Sequence, residues 1–327
     1  MFLEQGTQGR NEIGRWIALV LIVATVFQII GYLPIRIFTF LKLEENPDIE
    51  LNPENALDLS PFNISVFEAL LLSSIPYIVG LITLLLLIKS IHERTPLSVL
   101  TSYSSFRWKN FFWGARLWLM LLASYTLFIS FIGIQENKIQ FNLLYFFTLA
   151  LYLLALIPLQ IAFQEVFFRG YLMQGFSQII KFKWLTLLVT ALISGAIQIT
   201  NLEQHVIEPF NTLPQYIWYG IFFGIITLMD EGLEMALGVH AINTIYFSLF
   251  FIEDSSEVHM SALFQITRLN PKLNIVALIS MSLLFLYITR QKFKWPRWTY
   301  LFFKVNYPIT DDLAIYVEDE YEDEDYK

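Results

Sequence analysis

The chain alternates between long apolar runs and shorter polar connections. A helix that crosses a lipid bilayer needs about 20 mostly apolar residues, because lipid offers no partners for free backbone groups. This pattern predicts an all-α polytopic membrane protein with about eight transmembrane helices. The eight apolar runs cover residues 14–41, 64–88, 110–134, 142–163, 184–200, 213–229, 232–252 and 273–289.

Two of these runs carry signals of an irregular helix. The first run is too long to stay straight, and it contains Pro34, whose ring disrupts a regular helix. We therefore expect a kink or an end near that residue. The fourth run is expected to continue as a more polar helix through residues 164–178.

The placement of lysine and arginine predicts the orientation in the membrane. Cytoplasmic connections hold an excess of these residues. Fourteen bases lie before or at the very start of the first run and after the second, fourth and eighth runs, whereas the other connections hold four. Both termini are therefore expected in the cytoplasm, which requires an even number of spans. The first run is also too long for a cleavable signal peptide.

The composition supports a membrane location and excludes several classes of function. Of the 327 residues, 56% are hydrophobic and 15% are charged, whereas soluble domains have roughly 45–50% and about 25%. The absence of cysteine excludes disulfides, thiolate metal sites and cysteine nucleophiles.

The net charge of −8 is concentrated at one end of the chain. Residues 311–327 hold nine acids and one base, and the rest of the chain holds 20 of each. A basic nucleic-acid-binding surface is therefore not expected. We divide the chain into a single membrane domain, residues 1–310, and an acidic, flexible cytoplasmic tail, residues 311–327.

Polar side chains inside spans are costly and mark candidate functional sites. Glu165 and Arg169 lie four residues apart at the end of the fourth span, so they share a helical face. The alternative is a purely structural ion pair. Gln198 and Asn201 lie three apart at the end of the fifth span, and the alternative there is a helix end leaving the bilayer.

His240 lies in the middle of the seventh span, with Asn243 and Thr244 on its face. Small residues around it permit other helices to approach closely, so a functional site is favoured over a core histidine. Glu234 lies near the start of the same helix. It could serve passage of protons or substrate, but a carboxylate is also favourable at a helix N terminus, and this second interpretation is preferred.

Three of these stretches carry a resemblance to a known family. They are QEVFFRGYL at 164–172, SGAIQ at 194–198 and HAINT at 240–244. In their order they resemble the EExxxR, FxxxH and HxxxN motifs of the CPBP family of intramembrane metalloproteases, the bacterial relatives of type II CAAX prenyl endopeptidases. The resemblance covers roughly residues 140–250. It implies an eight-helix fold in a bacterial inner (cytoplasmic) membrane, and hydrolysis assisted by a zinc-like divalent metal.

The chain departs from the family at positions that the resemblance makes catalytic. Gln164 replaces the general-base glutamate, Gln198 replaces the first histidine, and Thr244 replaces the asparagine. An amide has no basic lone pair near neutral pH, and zinc prefers nitrogen, thiolate or carboxylate ligands. The resemblance therefore gives catalytic positions at Gln164, Glu165, Arg169, Gln198 and His240, binding positions at Asn201, Asn243 and Thr244, and a metal ligand at His240. Glu234 is a further candidate binding position because it is an acid within a predicted span.

Three hypotheses follow from a site that keeps some of the family's catalytic residues and lacks others. The leading one is a CPBP-type protein with impaired or lost proteolysis, whose intramembrane cavity binds a peptide, a lipidated segment or a partner helix. The first alternative is an active protease that cleaves peptides or CAAX-type substrates with Glu165 as base. The second is a small-solute or proton-coupled transporter. A bound metal is implied by the resemblance alone, and membrane lipid is a partner in every case.

Removal of residues 311–327 is expected to leave the membrane fold intact. The charges of this tail repel one another, and it has few apolar residues to bury. The midpoint of thermal unfolding in detergent should be the same for the truncated and the full-length protein. A clearly lower midpoint after truncation would contradict the proposed domain boundary.

Overall fold

The computed structural model describes residues 1–49, 59–62, 64–132, 137–139, 142–200, 209–253, 264–266 and 271–305. Asn201 and the acidic tail 311–327 lie outside the described residues, so the structure does not address the expectations for them.

Each of the eight predicted apolar runs corresponds to a helical segment of the structure. Within the described ranges, ten α-helices form eight helical segments, because two pairs of helices continue into each other. This arrangement confirms the all-α class. The helices are α1 (Ile13–Val26), α2 (Leu33–Glu45), α3 (Val66–His92), α4 (Trp108–Phe131), α5 (Leu143–Glu165), α6 (Met173–Ile180), α7 (Lys183–Thr200), α8 (Pro209–Asp230), α9 (Glu234–Phe250) and α10 (Pro271–Phe293).

Five of the helical segments are long and apolar enough to cross a membrane, which makes the chain a multi-pass membrane protein in contact with lipid. A further apolar helix, Lys183–Gln198, is shorter, and α9 has 17 residues. The count of eight spans and the cytoplasmic placement of both termini stay predictions. The five segments are Ile13–Glu45, Val66–His92, Trp108–Phe131, Leu143–Ile180 and Leu273–Phe293.

Two π-helical turns interrupt the longest segments. Phe27–Gly31 separates α1 from α2, and Pro34 is at the start of α2. Because a proline ring clashes with the carbonyl four residues earlier, the regular helix must be disturbed just before Pro34, as the sequence predicts. The second turn, Val166–Leu172, joins α5 to α6 and gives the expected polar continuation of the fourth span.

A small sheet joins connections at one end of the helices. Its strands, β1 (Asn137–Ile139), β2 (Phe251–Glu253) and β3 (Phe264–Ile266), have three residues each and follow the order β1-β3-β2. The β1–β3 pair is antiparallel and the β2–β3 pair is parallel. Strands this short give no readable apolar alternation, and the sequence analysis did not predict them.

Helix α9 packs against α4 through glycines on both sides. A Cβ atom on Gly238 would lie 2.1 Å from the carbonyl oxygen of Phe111, and one on Gly114 would lie 2.7 Å from that of Met235. Small residues allow helix backbones to approach in this way. The close approach buries almost the whole of α9 and holds His240 inside the helical assembly.

Gly238→Ala is expected to lower the free energy of unfolding by roughly 1–3 kcal/mol, because the added methyl group would meet backbone atoms of α4. Unfolding in detergent micelles measures this change. Gly14→Ala is the matched control, since nothing lies within 4 Å of a Cβ atom there. It should be neutral or slightly stabilising, and equal losses for the two variants would contradict the packing argument.

Candidate functional site

A single buried carboxylate is central to the candidate site. Glu165 is the last residue of α5, and its side chain is 0% exposed. Its Oε1 accepts hydrogen bonds from Nη1 of Arg169 at 3.1 Å and from Nδ1 of His240 at 2.7 Å. Because an ionised carboxylate only accepts, Nδ1 of His240 carries the proton in this arrangement. One oxygen atom therefore connects α5, the following π turn and α9.

The π turn after Glu165 positions Arg169. Turns of this kind are rare and are frequent at functional sites. A Cβ atom on the next residue, Gly170, would lie 2.3 Å from the carbonyl oxygen of Val99, so only glycine permits this approach. The turn thus packs against the backbone of the loop before α4, while Arg169 stays buried beside Glu165.

A neutral amide pair connects α7 to α5. Nε2 of Gln198 donates to Oε1 of Gln164 at 3.1 Å, and both side chains are partly buried. The structure therefore brings together the two glutamines that the sequence analysis assigned to the positions of a glutamate and a histidine. Neither amide has a basic lone pair, so the pair offers hydrogen bonds but no proton acceptor.

Phe223 of α8 is a site residue that the sequence analysis missed. Its ring stacks on His240, with centroids 4.6 Å apart and an interplanar angle of 21°. The guanidinium carbon of Arg169 also lies 5.6 Å from the same ring. An aromatic residue inside an apolar run carries no polar signal, so only the three-dimensional arrangement reveals this contact.

Asn243 and Thr244 are on the helix of His240 but have other partners. Oδ1 of Asn243 accepts from Nε1 of Trp118 at 3.0 Å and from the hydroxyl of Tyr219 at 3.3 Å. The Thr244 hydroxyl donates to the carbonyl of His240 at 3.2 Å. Asn243 therefore connects α9 to α4 and α8, and neither residue hydrogen-bonds to Glu165.

Glu234 belongs to a separate ion-pair network. Nη2 of Arg107 lies 2.7 Å from Oε2 of Glu234 and 2.9 Å from Oδ2 of Asp230. Burial opposes the charge of Arg107, but hydrogen bonding to Glu234 and the charge of Asp230 raise the pKa of its guanidinium overall. This network joins the ends of α8 and α9 to the start of α4. Glu234 is thus engaged at a helix N terminus, and the arrangement does not support the transport hypothesis.

Comparison with known proteins agrees with the motifs at this site. Residues 144–246 match the family model described as type II CAAX prenyl endopeptidase Rce1-like. The chain carries an Rce1-like domain. It extends from the start of α5 into α9 and contains every catalytic position that the sequence analysis assigned.

One full-length relative also matches the chain. The uncharacterized protein YyaK of Bacillus subtilis (strain 168) is 26% identical over 282 residues, which is 85% of this chain and 91% of that protein. No solved structure gives a significant match to the chain.

The donor set among the described residues of the Rce1-like domain does not fit a catalytic zinc-type metal. Such a metal normally has three protein ligands. Among the residues that the structure describes, no group of three or more His, Cys, Asp or Glu side chains could hold one. Oε1 of Glu165 and Nδ1 of His240 already bind each other, which leaves one carboxylate oxygen and one ring nitrogen beside two glutamine amides.

Arg169→Met is expected to lower the free energy of unfolding by about 3–5 kcal/mol, because it leaves the Glu165 carboxylate buried without its cationic partner. Adding Glu165→Gln should recover much of that loss. Chemical unfolding in detergent micelles measures both variants.

The matched control is Arg10→Gln, because the Arg10–Glu93 ion pair is exposed, with side chains 54% and 55% accessible. An exposed pair contributes at most about 1 kcal/mol. If Arg169→Met lowered the free energy of unfolding no more than Arg10→Gln does, the Glu165–Arg169 pair would not stabilise the fold.

Proposed function

We propose that this protein is a CPBP-type membrane protein whose proteolytic centre is impaired or lost, and whose former active site binds a peptide segment or a partner helix in the cytoplasmic membrane. The observation that carries the proposal is the hydrogen bond from Gln198 to Gln164. It joins two amides at the positions where the family has a general base and a histidine.

The amide pair cannot carry out the proton transfer that hydrolysis requires. Loss of a general base alone costs roughly 10²–10⁴-fold in rate. The Rce1-like domain also lacks the third acidic or imidazole ligand for a metal among its described residues. Two deficits at one centre support a protein that no longer cleaves its ligand efficiently.

The same side chains are well suited to binding a peptide. Gln164, Gln198 and His240 are each partly exposed, and each glutamine both donates and accepts hydrogen bonds. Inside a membrane, the free N–H and C=O groups of an extended peptide need such partners. Behind them, the buried carboxylate of Glu165 bonds to Arg169 in its own helical segment and to His240 of α9, and so joins two of the helices that present these groups.

A second candidate function, proteolysis with Glu165 as base, is favoured by one observation. Oε2 of Glu165 is buried and has no hydrogen-bond partner in the described part of the chain. A water molecule at this atom could in principle lose a proton to it. The carboxylate is fully buried, however, so this free oxygen is not open to solvent, and its other oxygen is already bonded to Arg169 and His240.

Purified protein incubated with prenylated and unprenylated peptides is expected to show no cleavage that depends on His240. Cleavage abolished by both His240→Ala and Glu165→Gln would overturn the proposal in favour of Glu165 as base. New activity in the double variant Gln164→Glu with Gln198→His would support it, because that variant restores the family's groups.

Binding is measured with the same peptides carrying a fluorescent label. Gln198→Leu is expected to weaken binding about fivefold, since loss of one hydrogen bond costs on the order of 1 kcal/mol. Ser194→Ala is the matched control on α7, because the Ser194 hydroxyl bonds only to its own helix, at the carbonyl of Ala191. Equal binding by the wild type and Gln198→Leu would contradict the peptide-site proposal.

A further inference from the structure

Two cations from different helices lie against one tryptophan ring. Nζ of Lys292, in the last turn of α10, is 3.4 Å from the ring centroid of Trp113 in α4. The guanidinium carbon of Arg116 is 5.7 Å from the same ring, and Phe293 packs on it at 6.0 Å. Both helices are long and apolar enough to cross the membrane, and Arg116 and Lys292 are exposed on them.

The cluster contains hydrogen-bond donors and positive charge but no acceptor. Lys292 and Arg116 are exposed, and neither forms an ion pair with any residue that the structure describes. Nε1 of Trp113 is buried and likewise has no hydrogen-bond partner among those residues. The nearby acids are engaged elsewhere, since Asp230 and Glu234 are both paired with Arg107.

The position of the cluster along the helices matches the headgroup region. Trp113 and Arg116 lie within the first three turns of α4, and Lys292 is near the last residue of α10. Tryptophan is enriched at the membrane–water interface. Long basic side chains near helix ends extend toward the headgroups, so both cations can reach that layer.

We propose that Trp113, Arg116 and Lys292 form a binding site for the phosphate group of an anionic phospholipid at the junction of α4 and α10. Phosphate oxygens accept strong hydrogen bonds from a guanidinium and an ammonium group. Basic pockets between transmembrane helices bind acidic lipid headgroups in the same way. Both cations are exposed, so their side chains can turn from the ring toward a phosphate group beside it.

Native mass spectrometry of the intact protein in detergent tests this site with phosphatidylglycerol and phosphatidylcholine. Phosphatidylglycerol is expected to bind more tightly. Lys292→Gln and Arg116→Gln should each weaken its binding about fivefold, as expected for one cation near a lipid surface. Trp113→Phe, which keeps a ring and removes the N–H group, should cause a smaller loss.

Lys89→Gln is the matched control. Lys89 is exposed in the last turn of α3, and its replacement removes the same charge without touching the cluster. Phosphatidylglycerol binding should be unchanged in this variant. An equal loss in Lys89→Gln, or equal binding of the two lipids, would overturn the site, because the attraction would then be diffuse or absent.

Inorganic phosphate distinguishes a lipid site from a site for a small soluble anion. It should not displace phosphatidylglycerol at equal concentration, and efficient displacement would overturn the lipid assignment. Thermal unfolding of each variant checks that it is folded. If Arg116→Gln does not fold, Arg116→Lys replaces it and should retain more binding than Lys292→Gln.

Discussion

The shared carboxylate oxygen of Glu165 is the interaction on which the rest of this structure depends. It joins Arg169 and His240 at a fully buried carboxylate, so these contacts rather than solvent stabilise the charge of Glu165. A buried charge that loses its partner is strongly destabilising. The π turn, the close approach of Gly170 to Val99 and the position of α9 all fit this one arrangement.

The candidate site combines a charged pair and a neutral pair on the same helix. Glu165 binds Arg169 and His240, whereas the adjacent Gln164 binds Gln198 across to α7. The contact of Glu165 with His240 holds α5 to α9 firmly, because the buried carboxylate would lose a partner if the two helices separated. An amide–amide hydrogen bond contributes far less, and a peptide group can replace it at little cost.

The sequence predicted the helices well because lipid imposes one rule on every span. The length rule located all eight segments, and Pro34 indicated the interruption before α2. The short strands could not be predicted, and neither could the helix that approaches the small residues around His240, which is α4. They depend on residues far apart in the chain, and the local pattern of apolar residues does not indicate such contacts.

Some contacts of the candidate site could likewise be predicted from the sequence, and others could not. The spacing of Glu165 and Arg169 predicts their contact, because residues four apart share a helical face. The contacts of His240 with Glu165 and of Gln198 with Gln164 join separate helices, and the family resemblance alone suggested that these residues meet. Phe223 and Arg107 were missed, because nothing near them in the sequence indicates which helix they contact.

The glycine packing between α4 and α9 has a consequence for movement at the site. Backbones in such close contact cannot slide or rotate separately without a clash, so α9 and His240 move only together with α4. Helices α7 and α8 are joined in the same way, through Gly195 and Gly220. The α7–α8 pair contacts the rest of the site through the hydrogen bond from Gln198 to Gln164 and the stacking of Phe223 on His240. Any movement at the site that keeps the glycine contacts therefore carries Gln198 together with α8, and His240 together with α4.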